Sequence, residues 1–176
     1  MRGHVPRVDA ANMFNRRLIL PLAVAMALLA VPAAAHACPD RAIEHPFAQL
    51  GDGGDYFQAP GGDVLLGAGD STTTEPVCIE LGEPTLRYFV RDEGWILGTL
   101  RVDALIDGLP VPVPIGLQTG LLTGGQMAPS PRFLVLANLL DILPDDEANV
   151  AFRFTAGGLG GAFAIGGVYV DPYGKG

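Results

Sequence analysis

The 176-residue chain carries 19 aspartates and glutamates against 11 lysines and arginines, which gives a formal net charge of −8 at pH 7. An acidic surplus of this size repels phosphate groups, and it excludes non-specific binding to nucleic acid or to anionic membranes. The length suffices for a domain with a sizeable buried core.

Residues 1–37 have the pattern of a secretory signal peptide. The pair Arg16-Arg17 precedes an apolar run over residues 18–35, and an Ala-His-Ala cleavage site follows. Cleavage there leaves residues 38–176 as a single domain with seven cations against eighteen carboxylates. A start at Met13 would give a more compact leader, and the paired arginines also loosely fit a twin-arginine signal. We expect a protein that is secreted or associated with the cell envelope.

The two cysteines, Cys38 and Cys78, are expected to form a disulfide. An even number of cysteines in a secreted domain is most simply paired, because the compartment is oxidising. In the chain-entropy model, a bridge across about 40 residues contributes roughly 4 kcal/mol. Cys38 directly follows the cleavage site, so a lipidated cysteine is the alternative, although His36 fits lipoprotein signals poorly.

The mature chain has the periodicity of an all-β protein. Alternation with a period of two, or a short apolar run, predicts strands in the following segments: residues 85–91, 100–106, 132–137, 150–155 and 162–170. No helical period persists for more than two turns after the leader. We therefore predict an antiparallel β-sandwich of seven or eight strands.

The intervening segments are predicted as connections. Residues 38–69 are expected to be loop-like, and residues 71–76 form a polar connector. Prolines make residues 111–114 an edge strand or an extended link, because proline donates no ladder hydrogen bond. The remaining predictions are a helical turn at 138–143, an acidic turn at 145–147, a hairpin connection at 157–161 and a β-bulge at Gly166-Gly167.

Several of these segments resemble a group of secreted bacterial proteins of uncharacterised function. The matching residues include Glu44-His45-Pro46-Phe47, Val77-Cys78-Ile79, Val150-Ala151-Phe152-Arg153-Phe154 and Val168-Tyr169-Val170-Asp171-Pro172-Tyr173. The tail of that group is similar to the last strand of galactose-binding-like jelly rolls, including many carbohydrate-binding modules. The resemblance implies a jelly-roll sandwich and a binding function, although a fold does not fix a function.

The chain departs from that pattern in ways that bear on its sites. Only residues 63–76 stand where the group has a longer segment, so one strand pair is expected to be missing. Gly166-Gly167 replaces a pair of aspartates, which removes carboxylates that often hold calcium in related jelly rolls. Asp52, Asp55, Asp63 and Asp70 lie in glycine-rich turns and match no calcium-loop motif, so they are expected to be solvated.

No catalytic residue, metal site or cofactor is predicted. A small hydrolase is a further alternative. His45 with Asp70 and Ser71 could be imagined as its triad, and the eighteen carboxylates could supply an acid/base pair, although the choice of any one pair would be arbitrary. Nothing resembles a nucleophile elbow. We expect a protein that is not an enzyme.

The expected ligand-binding residues lie on the predicted strands and one turn. Arg87, Arg91, Arg101 and Arg153 all occupy the face opposite the apolar stripe, together with Phe89. If their strands are neighbours, they form one positive patch suited to acidic glycans or cell-wall polymers; a solvated sheet face balanced by nearby carboxylates is the alternative. Trp95 is either an exposed platform for a sugar ring or a residue at the rim of the core.

Together these features favour a secreted, non-catalytic binding or interaction module, with carbohydrate or a cell-wall polymer as the expected ligand. No nucleic-acid partner, and no membrane contact after signal cleavage, is expected. The alternative is a structural envelope or matrix protein that associates with itself through the edge at residues 111–115. The sequence does not determine the oligomeric state.

Overall fold

The computed structural model describes residues 38–80, 83, 85–120, 125–134 and 147–171, all within one compact unit. The predicted signal peptide, the predicted helical turn at 138–143 and the first two residues of the predicted acidic turn lie outside this range. No helix of the described residues is long and apolar enough to cross a membrane.

The described chain folds into eleven strands, preceded by a one-turn 3₁₀ helix at Ala48–Leu50. The strands are β1 (Phe57–Ala59), β2 (Val64–Leu66), β3 (Ser71–Thr73), β4 (Val77–Glu80), β5 (Thr85–Asp92), β6 (Gly98–Ile106), β7 (Val113–Thr119), β8 (Ala128–Pro129), β9 (Phe133–Leu134), β10 (Glu147–Gly158) and β11 (Phe163–Asp171). Every strand pair is antiparallel.

The strands form two sheets, each four positions wide. Sheet 1 has the order β1-β11-β5-β8. The short strand β2 pairs with the same edge of β11 as β1 does, and β9 pairs with the same edge of β5 as β8 does. Sheet 2 has the order β3-β10-β6-β7, and the short strand β4 pairs with the same edge of β10 as β3 does. Eleven strands therefore occupy eight positions, because three positions are each divided between two short strands. The predicted all-β antiparallel sandwich is confirmed; its jelly-roll, galactose-binding-like character stays a prediction.

One hydrophobic core joins the two sheets. Alternate residues of the long strands face inward, so that β5 buries Leu86, Tyr88 and Val90 while leaving the residues between them at the outer face. Across the core, the Tyr88 ring meets Phe154 of sheet 2 edge to face, with centroids 5.0 Å apart. Tyr88 also donates its hydroxyl hydrogen to Gln118 Oε1 at 3.0 Å, which satisfies both buried polar groups.

Three predicted connections differ from the structure. Residues 38–69 contain β1 and β2, and the predicted connector at 71–76 contains β3. These strands have only three residues each, too few for alternation to be recognised in the sequence. The segment 157–161 is not a hairpin, because β10 belongs to sheet 2 and β11 to sheet 1.

The predicted bulge and edge are both present. The register between β11 and β5 shifts between Gly166 and Val168. Strand β7, which contains Val113 and Pro114, pairs with β6 and lies at the edge of sheet 2 in the described part of the chain. The predicted strand at 132–137 is described only as β9; its last three residues lie outside the described range.

Candidate functional site

The structure divides the four predicted arginines between two sheets. Arg87 and Arg91 lie on β5 of sheet 1, whereas Arg101 lies on β6 and Arg153 on β10 of sheet 2. The outer faces of a sandwich point in opposite directions, so the prediction of one positive patch is wrong. Periodicity indicated correctly that each arginine faces outward, but the chain crosses from one sheet to the other between β5 and β6.

Each of these arginines also has a carboxylate partner. Arg101 and Arg153 both contact Asp103, at 2.7 and 3.3 Å, and the Asp103 side chain is only 1% exposed. Arg91 is paired with Glu93, and Arg87 with Asp52. Each of the four guanidinium groups is therefore ion-paired within the protein, and Arg101 and Arg153 share one carboxylate.

Asp52 is the centre of a polar cluster on the outer side of sheet 1. Its Oδ2 accepts hydrogen bonds from Arg87, from Arg132 at 2.6 Å and from the Tyr56 hydroxyl at 2.7 Å. Its Oδ1 accepts the backbone N–H of Gly54 at 3.1 Å. The side chain is 12% exposed, so the expectation of a solvated turn aspartate is wrong at this position.

These donors control the ionisation of Asp52. Burial alone would raise the pKa of the carboxyl group, but the hydrogen bonds from Arg132, Tyr56 and Gly54 outweigh it and hold the pKa at about 2. The carboxylate is therefore ionised throughout the physiological pH range. Its chemical role is to hold two guanidinium groups, and it is not suited to donating a proton.

An aromatic cluster covers the outer face of sheet 1 and includes Phe89, a predicted ligand-binding residue. The Phe47 ring lies 4.7 Å from Phe89, 4.9 Å from Tyr56 and 5.7 Å from Tyr169, measured between centroids. The Arg87 guanidinium lies over Phe47 at 4.3 Å. Phe47 is fully buried, so the segment before β1 occupies the surface that Arg87 and Phe89 were expected to offer to a ligand.

The disulfide between Cys38 and Cys78 is confirmed, with Cα atoms 5.5 Å apart. Glu147 places a carboxylate oxygen within 4.8 Å of both sulfurs, and among the described residues these three form the group with metal-ligand spacing. Oxidised sulfurs carry no thiolate, which is the form of cysteine that binds metals. This group therefore does not fit a transition metal while the disulfide is intact.

The residues of the imagined triad lie on different sheets. His45 belongs to the segment paired with Tyr56 next to sheet 1, and its ring contacts Asp55 at 3.4 Å and the Gly54 carbonyl at 3.2 Å. Ser71 begins β3 of sheet 2. The Asp70 carboxylate accepts the N–H of Gly67 within its own turn.

Trp95 is exposed, and the alternative of a rim core residue is wrong. Its residue surface is 73% exposed, on the connection between β5 and β6. This connection adjoins the one between β10 and β11, since Trp95 donates its N–H to the Gly160 carbonyl at 3.1 Å. We call residues 93–97 and 159–162 the Trp95 loop pair.

Three further apolar residues of the loop pair are exposed and were not predicted as site residues. Ile96 is 61% exposed, Leu97 58% and Leu159 72%. The sequence contained a signal for Ile96 and Leu97, because the apolar triplet at residues 95–97 follows Glu93-Gly94 in a predicted turn, where polar residues are usual. Leu159 could not be associated with the triplet before the contact between the two connections was known.

A shallow apolar groove lies at the opposite end of β6. It has a volume of about 400 Å³, and the connection between β6 and β7 forms one wall while Leu105 and Ala151 form the floor. Asp107 is the charged residue of its lining. The groove adjoins the sheet edge that was expected to mediate self-association.

Comparison with known proteins supplies no family for the chain. No protein-family model matches the sequence, and no curated protein matches it. The resemblance to secreted jelly-roll proteins therefore rests on the residues quoted for it and stays a prediction.

Proposed function

We propose that the protein is a secreted, non-catalytic binding module that contacts its partner through the Trp95 loop pair. The observation that carries this proposal is the exposure of Trp95 on a connection held in place by the neighbouring one. Tryptophan is enriched among the residues that dominate the energetics of binding surfaces, and Trp95 shares its loop pair with three other exposed apolar residues.

The loop pair is a preorganised surface. Glu93 donates its N–H to the Ala162 carbonyl at 2.8 Å, and Gly98 donates to the Trp95 carbonyl at 2.7 Å. Glycine permits the close approach of the two connections, because a Cβ on Gly94 would lie 2.1 Å from the Gly160 carbonyl oxygen. Little conformational entropy is then lost when a partner binds.

Secretion is supported by two independent features. The leader has the order of charge, apolar run and small residues that export requires, and the structure contains a disulfide, which persists in oxidising compartments. Both features support a place in the cell envelope or outside the cell.

Carbohydrate or a cell-wall polymer is the ligand class suggested by the sequence. An exposed indole ring provides an apolar face on which a sugar ring can stack. Arg91 and Glu93 form an ion pair at the end of β5 that leads into this connection.

The test is binding of the oxidised protein to bacterial envelope preparations that contain polysaccharide, lipid and protein. We expect Trp95→Ala to weaken binding by at least about tenfold, since burial of a large apolar side chain contributes roughly 1.5–3 kcal/mol. Val111→Ala is the matched control, because Val111 is 64% exposed at the opposite end of β6. Wild-type binding by the Trp95 variant would overturn the proposal.

A structural protein that associates with itself is the second candidate. The observation in its favour is that β7 forms the edge of sheet 2 in the described part of the chain, with Leu117 66% exposed. Unpaired edges present backbone groups to a second copy.

A further inference from the structure

The loop pair exposes four large apolar residues, Trp95, Ile96, Leu97 and Leu159. A large apolar residue presents roughly 200 Å² when fully exposed, so the four together expose about 500 Å². A patch of this size is near the upper end for a monomeric protein and often marks an interaction site.

From this surface we infer that the loop pair docks onto a neutral lipid surface and places Trp95 at the boundary between headgroups and acyl chains. The inference rests on the proposed function, because it names the partner of the same site. Tryptophan is enriched at membrane–water interfaces, where one part of the ring is apolar and the indole N–H stays hydrated.

The composition of the patch favours lipid over carbohydrate. Sugars are recognised through hydrogen bonds in addition to stacking, but Ile96, Leu97 and Leu159 have side chains that neither donate nor accept them. Three of the four exposed side chains would make no hydrogen bond to a sugar, whereas all four gain free energy on leaving water for hydrocarbon.

A lipid surface accommodates this patch without a matching partner surface. A stable protein interface needs a complementary shape on both sides, whereas a lipid surface deforms around protruding side chains.

The backbone of Trp95 is suited to an apolar environment. Its N–H and carbonyl are both hydrogen-bonded within the protein, to the Gly160 carbonyl and the Gly98 N–H. A peptide group inserted into hydrocarbon without partners is costly, and the pairing between the two connections removes this cost at Trp95.

The charge of the protein specifies the type of lipid. The chain after the leader has seven cations against eighteen carboxylates, and near the loop pair Arg91 is neutralised by Glu93. Anionic headgroups are therefore repelled, and a zwitterionic surface is favoured. This contact needs no electrostatic attraction. It departs from the expectation of no membrane contact after signal cleavage, which rested on the net charge of the chain.

The chain offers a direct probe, because Trp95 is its single tryptophan. We would titrate the oxidised protein with phosphatidylcholine vesicles and record tryptophan emission together with co-sedimentation. The expected result is a shift of emission to shorter wavelength, quenching by lipids brominated near the headgroup, and weaker binding to phosphatidylglycerol vesicles.

Leu159→Ser is the informative variant, because it keeps the fluorophore. We expect it to lower the partition coefficient at least about tenfold, while Val111→Ser at the far end leaves it unchanged. Circular dichroism and thermal unfolding verify that both variants are folded.

Two outcomes would overturn the inference and differ in what they mean for the proposed function. Unchanged emission with vesicles, combined with Trp95-dependent binding to a polysaccharide fraction, removes lipid as the partner and keeps the binding module. Absence of Trp95-dependent binding to the vesicles, to the polysaccharide fraction and to the protein fraction of the envelope removes both.

Discussion

At the scale of single residues, Asp52 fastens the segment that precedes β1 to the outer face of sheet 1. Its carboxylate accepts hydrogen bonds from Arg87 on β5 and from Arg132 in the stretch before β9. One carboxylate thus joins three parts of the chain that are far apart in sequence. A charge this well surrounded by donors stabilises the fold only while it is ionised.

Asp52→Asn should destabilise the folded protein and make its folding stability less dependent on pH in the acid range. The folded pKa of about 2 lies below the ordinary value of 3.8, so Asp52 contributes its full stabilisation above about pH 4 and loses it as the pH falls through 2. At pH 7 we expect the variant to lose about 1–2 kcal/mol of unfolding free energy, a value reduced because the side chain is partly exposed. Between pH 5 and pH 2 the variant should lose less stability than the wild type.

Urea unfolding at several pH values measures both effects. Asp55→Asn is the control, since the Asp55 side chain is 56% exposed beside His45. An Asp52 variant that loses stability with acid as steeply as the wild type would contradict the assignment.

At the scale of elements, the last strand depends on one irregularity. Gly167 has φ of +51°, in the left-handed region, and a Cβ there would lie 2.6 Å from the Tyr169 ring. The extra residue shifts the register between Gly166 and Val168, so that Val168 and Val170 both point into the core. The bulge keeps the apolar residues on either side of it on the same face.

Gly167→Ala should cost about 1–2 kcal/mol because of its positive φ, and more if the Tyr169 ring cannot move. Gly166→Ala is the matched control, since its nearest heavy atoms are 3.6 Å away and its backbone is not in the left-handed region. Thermal unfolding of both variants measures the difference. Equal stability of the two would show that the bulge geometry is not needed.

At the scale of the whole molecule, the properties of β7 at the edge of sheet 2 determine whether the protein is expected to be monomeric or to associate with itself. Pro114 removes a backbone donor from β7, and the register with β6 shifts between Val102 and Asp103. Both features weaken an edge as a template for another strand. The high negative charge also repels copies from one another.

We therefore expect the oxidised protein to be monomeric across the concentration range of sedimentation velocity. If the protein instead associates with itself, its sedimentation coefficient should rise with concentration. Leu117→Glu, which places a charge on the exposed side of β7, should then restore the monomer value. Such behaviour would favour the structural role over the binding module.

The sequence by itself determined the all-β class, the outward direction of the arginines, the disulfide, and the bulge at Gly166-Gly167. These follow from short-range rules, namely the two-residue period of a strand, the parity of the cysteines and the conformational freedom of glycine. The sequence also indicated that Trp95 lies in a connection between strands, but it did not indicate whether the side chain is exposed.

Only the tertiary structure decided which strands share a sheet, and therefore which side chains meet. The sheet assignment separated Arg87 from Arg153, placed Asp52 between two arginines, and set Leu159 beside Trp95. These are contacts between residues about 35 to 80 positions apart. Such contacts depend on how the core closes as a whole, and no local period of the sequence encodes them.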